Sequence, residues 1–444
     1  MTVILVNSFK IKDNSIVNKE EFDGIRNLVK KIADKSIGQL EKEGVFVFPN
    51  TIKNSEDITN EQMILQSYNE SFCSSNVMGF LGYGFERLTI ESRFSNGQND
   101  FFFQYLLEHV LDFPNLLELK TDANQDNRFH NLLLFLFPRY LKTVMRKGVF
   151  KTYIRNWYNN QNIKGTIDIA RHYKKNTPFV GNIAYSKREL SNRNYLMELI
   201  RHTIEFIKRK PYGNNLLRLS KDEVTAVVDI TNQYELYDRN KIIIENKKTP
   251  VRHAYFNEYR ALQHLCIMIL THEEHQFGPG VRQVHGILFD GAWLFEEFIN
   301  LLIGNNFYHP MNKKNKGAQR LFAGNVGLIY PDFISRDKIN RVIADVKYKP
   351  IGNIGNKDYL QILAYMYRFD SKQGFYIYPE SSETKPLRLM LNQGSTYEND
   401  VATRQDVSVI KLGLRIPALA RNYADFSDKM KIAEQNLISN IPTT

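Results

Sequence analysis

Residues 326–369 read VGLIYPDFISRDKINRVIADVKYKPIGNIGNKDYLQILAYMYRF. Val326 to Ile334 is apolar and β-prone, with Pro331-Asp332 inside it. Ser335 to Asn340 is polar and turn-like, and Arg341 to Tyr348 is a second β-prone run. A Gly/Asn/Pro-rich loop follows, and Asp358 begins an amphipathic helix that carries Gln361. The pattern predicts two adjacent antiparallel strands that bring Asp332 and Asp345 together. Strand side chains alternate faces, so Asp345 and Lys347 share one face while Ala344, Val346 and Tyr348 take the other.

Converging carboxylates repel each other until a cation neutralises them. Oxygen ligands select a hard ion such as Mg²⁺, which keeps several waters and binds through one or two carboxylates. Such an ion polarises a phosphoryl oxygen and lowers the pKa of bound water. A neighbouring lysine orients that water or stabilises charge developing in the transition state. The chemistry this pattern predicts is metal-dependent hydrolysis of a phosphodiester.

The chain has 444 residues and a formal net charge of +11. That length accommodates two or three domains, and the basic balance suits a polyanionic partner. Cys73 and Cys266 give no disulfide framework, so a reducing cytoplasm is the expectation. The first residues lack the charged start of a signal peptide. No apolar run is long enough to span a bilayer.

Outward from the opening stretch, the remaining pattern is a series of strands and helices. A first strand is expected over Met1–Lys10, one helix over Glu20–Glu43 and a short strand over Val45–Pro49. Asn76–Phe94 reads as a hairpin whose Gly79, Gly82 and Gly84 serve turns or bulges rather than a nucleotide loop. Phe101–Phe113 is a helix. From Arg139 to Lys175 the chain is rich in Lys and Arg with interleaved Tyr and Trp. Three readings of this region stay open: a DNA-contacting surface, a surface for an acidic protein partner, or a solvated basic helix face. Lys164–Asn176 reads as strand and turn, and Ser186–Lys208 as a helix capped at Ser191. Further helices are expected over Leu216–Tyr237 and Tyr255–His272. His264, Cys266, His272 and His275 lack zinc-site spacing and read as core or surface residues. Gln276–Leu288 reads as a connector before a helix, Gly291–Ile303, that carries Glu296 and Glu297. Lys313, Lys314, Lys316 and Arg320 form a basic loop before Asp332. Gly374–Pro379 and Val407–Leu414 are strands, and Ala418–Ile438 is a final helix.

Pro331-Asp332, then Asp345-x-Lys347, with Gln361 on the following helix, resembles the PD-(D/E)xK nuclease superfamily, especially its RecB-like branch. A second resemblance narrows this to McrC-type proteins of McrBC/LlaJI-type restriction systems. It rests on Ile90-Glu91-Ser92-Arg93-Phe94 with Asn99-Asp100-Phe101-Phe102 and Tyr105, on Gly165-Thr166-Ile167-Asp168 with Asn176, and on Leu190-Ser191 with Asn194. It continues through Gly286-Ile287-Leu288, Leu294-Phe295-Glu296-Glu297-Phe298 and Asp345-Val346-Lys347-Tyr348-Lys349, with Asp358 and Gln361. It covers roughly residues 75 to 415.

The resemblance implies an α/β architecture: a mixed α/β region over 1–250, then a PD-(D/E)xK restriction-endonuclease-like domain over 251–444 whose mixed central sheet is flanked by helices. It implies a DNA endonuclease subunit that stimulates an AAA+ GTPase hexamer of the McrB kind. The N-terminal region would meet the motor and also, as one option, DNA. Asp332, Asp345, the Val346 carbonyl and Glu296 (or Glu297, one residue on) would hold Mg²⁺, or Mn²⁺ in its place. Lys347 would act on the water, and Gln361 would support substrate or metal geometry. The chain lacks G-x-x-x-x-G-K-[ST], so nucleotide hydrolysis falls to the partner. Two rivals remain: a RecB-like exonuclease working without a GTPase, and a non-catalytic DNA-binding activator.

Overall fold

The structure, a computed structural model, describes residues 7–43, 45–48, 61–95, 100–110, 125–252, 255–256, 258–277, 284–310, 318–324, 326–382, 385–394 and 401–442. Side chains at 125–131 and 272–277 are not among those described. Asn99 and the loop lysines Lys313, Lys314 and Lys316 fall outside the described residues. The chain forms two compact units. One combines Met1–Thr121 with Val281–Thr444, and the other is Asp122–Gly280. A single cut near residue 250 does not reproduce this division.

A mixed five-stranded sheet explains why the first unit draws on both ends of the chain. Its strands lie in the order Asn7–Lys12, Glu86–Glu91, Val77–Tyr83, His285–Asp290, Val45–Phe48. The hairpin of Val77–Tyr83 and Glu86–Glu91 forms as its pattern predicts, with Gly84 in the left-handed region at its turn (φ 56°). His285–Asp290 was expected to be a connector. It is instead an inner strand, antiparallel to Val77–Tyr83 and parallel to Val45–Phe48. Leu81, Leu88, Ile90 and Leu288 from these strands pack with Leu28, Ile32 and Leu40 in one buried cluster.

That cluster also corrects the helix expected over Glu20–Glu43. The segment forms a 3-10 turn, Lys19–Ile25, and two short helices, Arg26–Ile32 and Ile37–Glu43. Between the helices, Asp34 turns left-handed (φ 57°). Its amide donates to Leu65 O and its carboxylate accepts from Ser67 N at 2.8 Å. These bonds to a neighbouring strand replace helical ones, and an aspartate tolerates that backbone conformation.

The second sheet of this unit has six strands in the order Phe307–Tyr308, Phe333–Ser335, Val342–Val346, Gln373–Glu380, Thr403–Arg415, Leu387–Asn392. The centre is parallel and both margins are antiparallel. The helix Asn356–Arg368 buries Ile362, Tyr365 and Met366 against Ile343, Tyr376 and Tyr378. The apolar run Val326–Ile334 is not one strand. Leu328–Ile329 pairs with Gln319–Arg320 in a separate hairpin, and Phe333–Ser335 joins the main sheet. Pro331 intervenes, and a proline cannot donate to a ladder.

In the second unit the helices Gln125–Met145 and Tyr195–Lys208 pack with Glu258–Phe277. Leu133, Leu136, Leu141, Ile200, Ile204, Leu262, Leu265 and Ile269 are fully buried there. Cys266 is buried too. Thr152–Asn160, Ile183–Ser191 and Thr166–Ile167 form an antiparallel sheet. The basic region is therefore helix up to Met145 and then a strand. Two further details depart from expectation. Ile169–Lys175 is a helix capped by Asp168, where a turn was expected. The helix expected from Ser186 begins at Tyr195, because Ile183–Ser191 pairs as a strand and Asn194, not Ser191, caps Met197 N.

Candidate active site

The antiparallel pairing of Phe333 with Ala344 sets the site. Asp332 immediately precedes the first of these strands, and Asp345 lies one step further along the second. Asp345 is 1 % exposed. Its Oδ2 lies 2.7 Å from Lys347 Nζ as an ion pair, without a hydrogen bond of ordinary geometry. Asp332 Oδ2 accepts from Val346 N at 2.8 Å. Lys347 N donates to Ile377 O at 2.9 Å, so the backbone here is tied to the next strand.

Lys347 Nζ donates to Gln361 Oε1 at 3.2 Å. Gln361 Nε2 donates to Tyr365 Oη at 2.7 Å, and Tyr365 Oη donates to Tyr330 O at 3.2 Å. This chain joins the Gln361 helix to the residue before Pro331. Asp358 has two tasks. It accepts from Gly355 N at 2.9 Å at the start of that helix, and it pairs with Lys349 at 2.7 Å. A second ammonium, that of Lys347, stands 3.9 Å from it.

Burial, and then the charges of Asp345 and Glu296, push the Asp332 carboxyl well above the usual carboxylate range. Burial works against the Lys347 ammonium, but Asp345, Asp332 and Asp358 outweigh it and hold its pKa above the ordinary value. Burial also opposes ionisation of Asp358, yet Lys349 and the Gly355 amide bring its pKa below normal. The site thus holds a lysine that stays charged and an acid pair whose mutual repulsion lacks full compensation.

Glu296 and Glu297 lie on the helix Gly291–Ile303, which Asp290 caps through Ala292 N and Trp293 N. Glu297 Oε1 accepts from Trp293 Nε1 at 3.2 Å. Both carboxylates lie 3.7 Å from His309 Nε2. His309 Nδ1 is 3.0 Å from Asp332 O, and its ring stacks on Phe333 with centroids 4.8 Å apart. Burial lowers the His309 pKa, but Glu297, the Asp332 carbonyl and Glu296 outweigh it, for a net rise. Sequence reasoning missed His309, because a single histidine beside Pro310 carries no motif or period.

The donor set can be tested against the ion it implies. Asp332 and Asp345 supply hard oxygen donors, one with a buried oxygen lacking a hydrogen bond and the other with a raised pKa. Among the described residues no group of three or more His, Cys, Asp or Glu side chains is placed to hold a metal ion. Two carboxylates of this kind could hold a hard ion such as Mg²⁺, which keeps several waters. They do not form a closed protein cage.

This geometry lies within a span that comparison with known proteins picks out. Residues 74–379 match the family model described as "McrBC 5-methylcytosine restriction system component". The class is thus a component of a restriction system. The chain belongs to the McrBC family, and the motifs quoted from its sequence are those of the McrC-like component. The matched span runs from the first hairpin through Asp332, Asp345, Lys347 and Gln361. Among solved structures, the chain is similar to one titled "Refined half-complex from tetradecameric assembly of Thermococcus gammatolerans McrB AAA+ hexamers with bound McrC". The identity is 13%, the coverage 97% of this chain and 99% of that chain, and the TM-score 0.44. It is also similar to "Cryo-EM structure of the Thermococcus gammatolerans McrBC complex", at 15% identity, 67% and 88% coverage and a TM-score of 0.32. No curated protein matches the chain. No helix among the described residues is long and apolar enough to cross a membrane.

Proposed function

We propose that this chain is the nuclease subunit of a McrBC-like restriction system, a Mg²⁺-dependent endodeoxyribonuclease of PD-(D/E)xK type that stimulates an AAA+ GTPase hexamer in the cytoplasm. The observation that carries the nuclease reading is the pairing of buried Asp345 with Lys347 beside the raised-pKa acid Asp332. Family membership and the quoted motifs support the restriction setting and the motor partner.

Asp332 and Asp345 would hold the ion, with the Val346 carbonyl and Glu296 as further contributors. The bound ion supplies Lewis acidity toward a phosphoryl oxygen and makes water at the site more acidic. Lys347 stays protonated, because three carboxylates surround it. Its role is that of a donor that orients the attacking water or meets negative charge on the phosphoryl oxygens, rather than that of a base. Gln361 holds the ammonium from the helix side, and Tyr365 fixes the amide by accepting from its other end. The N-terminal region and the inserted unit would carry the motor contact.

The test is cleavage of methylated and unmethylated closed-circular DNA with Mg²⁺ and GTP, by the chain alone and with any AAA+ protein encoded beside it. The expected result is cutting only with partner and GTP, lost on chelation and in Asp345→Ala, while that variant still stimulates GTP hydrolysis. Cutting from DNA ends without the partner would establish the exonuclease instead. Stimulation by the wild-type chain without any cutting would establish the non-catalytic activator.

A further inference from the structure

Lys347 has two carboxylates in reach, Asp345 at 2.7 Å and Asp358 at 3.9 Å. Asp358 already has Lys349. Which acid Lys347 serves is therefore set by where its backbone lies. The strand Val342–Val346 ends one residue earlier, and Lys347 N keeps one bond to the next strand, at Ile377 O, so the chain on its C-terminal side must be held from elsewhere. The next side chain, Tyr348, points to the opposite face and is buried.

Tyr348 sits in a pocket built by residues far away in sequence. Its ring meets Phe94 edge-on at 5.1 Å and Phe295 at 6.0 Å, and the Arg93 guanidinium lies over it at 5.1 Å. Its Oη is 2.7 Å from Ser92 Oγ and 3.3 Å from Met78 Sδ. Ser92 and Arg93 are themselves held. Ser92 N donates to Asp100 Oδ2 at 2.6 Å. Arg93 Nε donates to Asp13 Oδ2 at 2.9 Å, and Arg93 also bonds Asn76. A Cβ on Gly291 would come within 2.8 Å of Tyr348 Cε1, so the ring is also wedged against the start of the Glu296 helix. Every one of these partners is buried or nearly so, and a hydrogen bond in such surroundings fixes a position more firmly than one at the surface.

We infer that Tyr348, clamped by Ser92 and Arg93, is a positioning residue that holds Lys347 on Asp345 and away from Asp358. The inference deepens the nuclease reading and rests on it for its catalytic consequence, while its geometric content stands alone. Tyr348→Phe and Ser92→Ala each remove one end of the same hydrogen bond and keep the ring. Each should lower kcat about tenfold, with little change in KM for DNA. The double variant should fall well short of the product of the two single effects, because the Tyr348–Ser92 bond is lost in all three, while Ser92→Ala alone also removes the acceptor of Phe94 N and Tyr348→Phe alone the Met78 contact.

A second readout needs neither metal nor activity. Amine labelling of the metal-free chain, read by mass spectrometry, should show Lys347 reacting several-fold faster in both variants, with Lys349 unchanged. The variants should keep wild-type unfolding temperatures to within a few degrees. Wild-type kcat, or unchanged Lys347 labelling in a folded variant, would overturn the inference. A wild-type chain that never cuts, with the labelling change still seen in the variants, would sink the nuclease reading and leave the clamp standing.

Discussion

Glu296 and Glu297 are neighbours in sequence with different surroundings. The charge of Glu296 adds to the rise in the Asp332 pKa, whereas Glu297 is held by the Trp293 indole. Glu296→Gln should therefore reduce cleavage about 10- to 100-fold and raise the Mg²⁺ concentration needed, as removal of a group acting on metal ligands does. Glu297→Gln should stay close to wild type in a Mg²⁺ titration of cleavage. The reverse order would transfer the role to Glu297. That Asp345, Lys347 and Gln361 lie close together was legible in the sequence, because strand alternation and a following amphipathic helix fix their faces, whereas Asp332 reaches them from the bend before its strand. The choice between the two glutamates was not legible, since one residue of helical register separates them. His309 was invisible for a related reason: its partners are set by tertiary packing.

At the scale of elements, Gly79 shows how a strand that looked like a connector is made to fit. Its φ is 143°, and a Cβ there would come within 2.1 Å of Ile287 O on the strand His285–Asp290. Gly79→Ala should destabilise the first unit by roughly 2–3 kcal/mol, through backbone strain and a spread sheet. Denaturant unfolding measures this, and Gly84→Ala provides a turn control at a position where nothing crowds the Cβ. The hairpin, the Glu296 helix and the strands around residues 376 and 410 could be read locally from alternation or helical spacing. The strand at 285–290 could not. Its glycine-rich approach mimics a loop, and its partners lie some 200 residues earlier. The long helix expected over 20–43 failed for the opposite reason, because bonds from Asp34 to another strand overrode a good helical pattern.

At the scale of the whole molecule, the inserted unit carries an exposed basic and aromatic face, and the motor contact is the reading of it that a variant can test. Arg155 and Arg188 are directly opposed across two strands, an arrangement that costs stability. Trp157 is 53 % exposed, with the Arg155 and Arg171 guanidinium groups 5.9 Å and 5.3 Å from its ring. Replacing Trp157 and Arg155 by Ala should leave the unfolding temperature of this unit nearly unchanged and reduce stimulation of the partner's GTP hydrolysis about fivefold or more, the size of a lost interface anchor. Phosphate release assays decide this, and undiminished stimulation would remove this face from the contact. The sheet order also has a consequence for synthesis on the ribosome. Among the described residues Val45–Phe48 has only His285–Asp290 as its neighbour in its sheet, and Val77–Tyr83 needs the same strand to close one edge. The nascent chain must therefore carry these open edges until residue 290 has emerged, after the whole of Asp122–Gly280 has been made. The ends of the first body meet last, so translation that stalls within the insert leaves an aggregation-prone half sheet rather than a folded N-terminal domain.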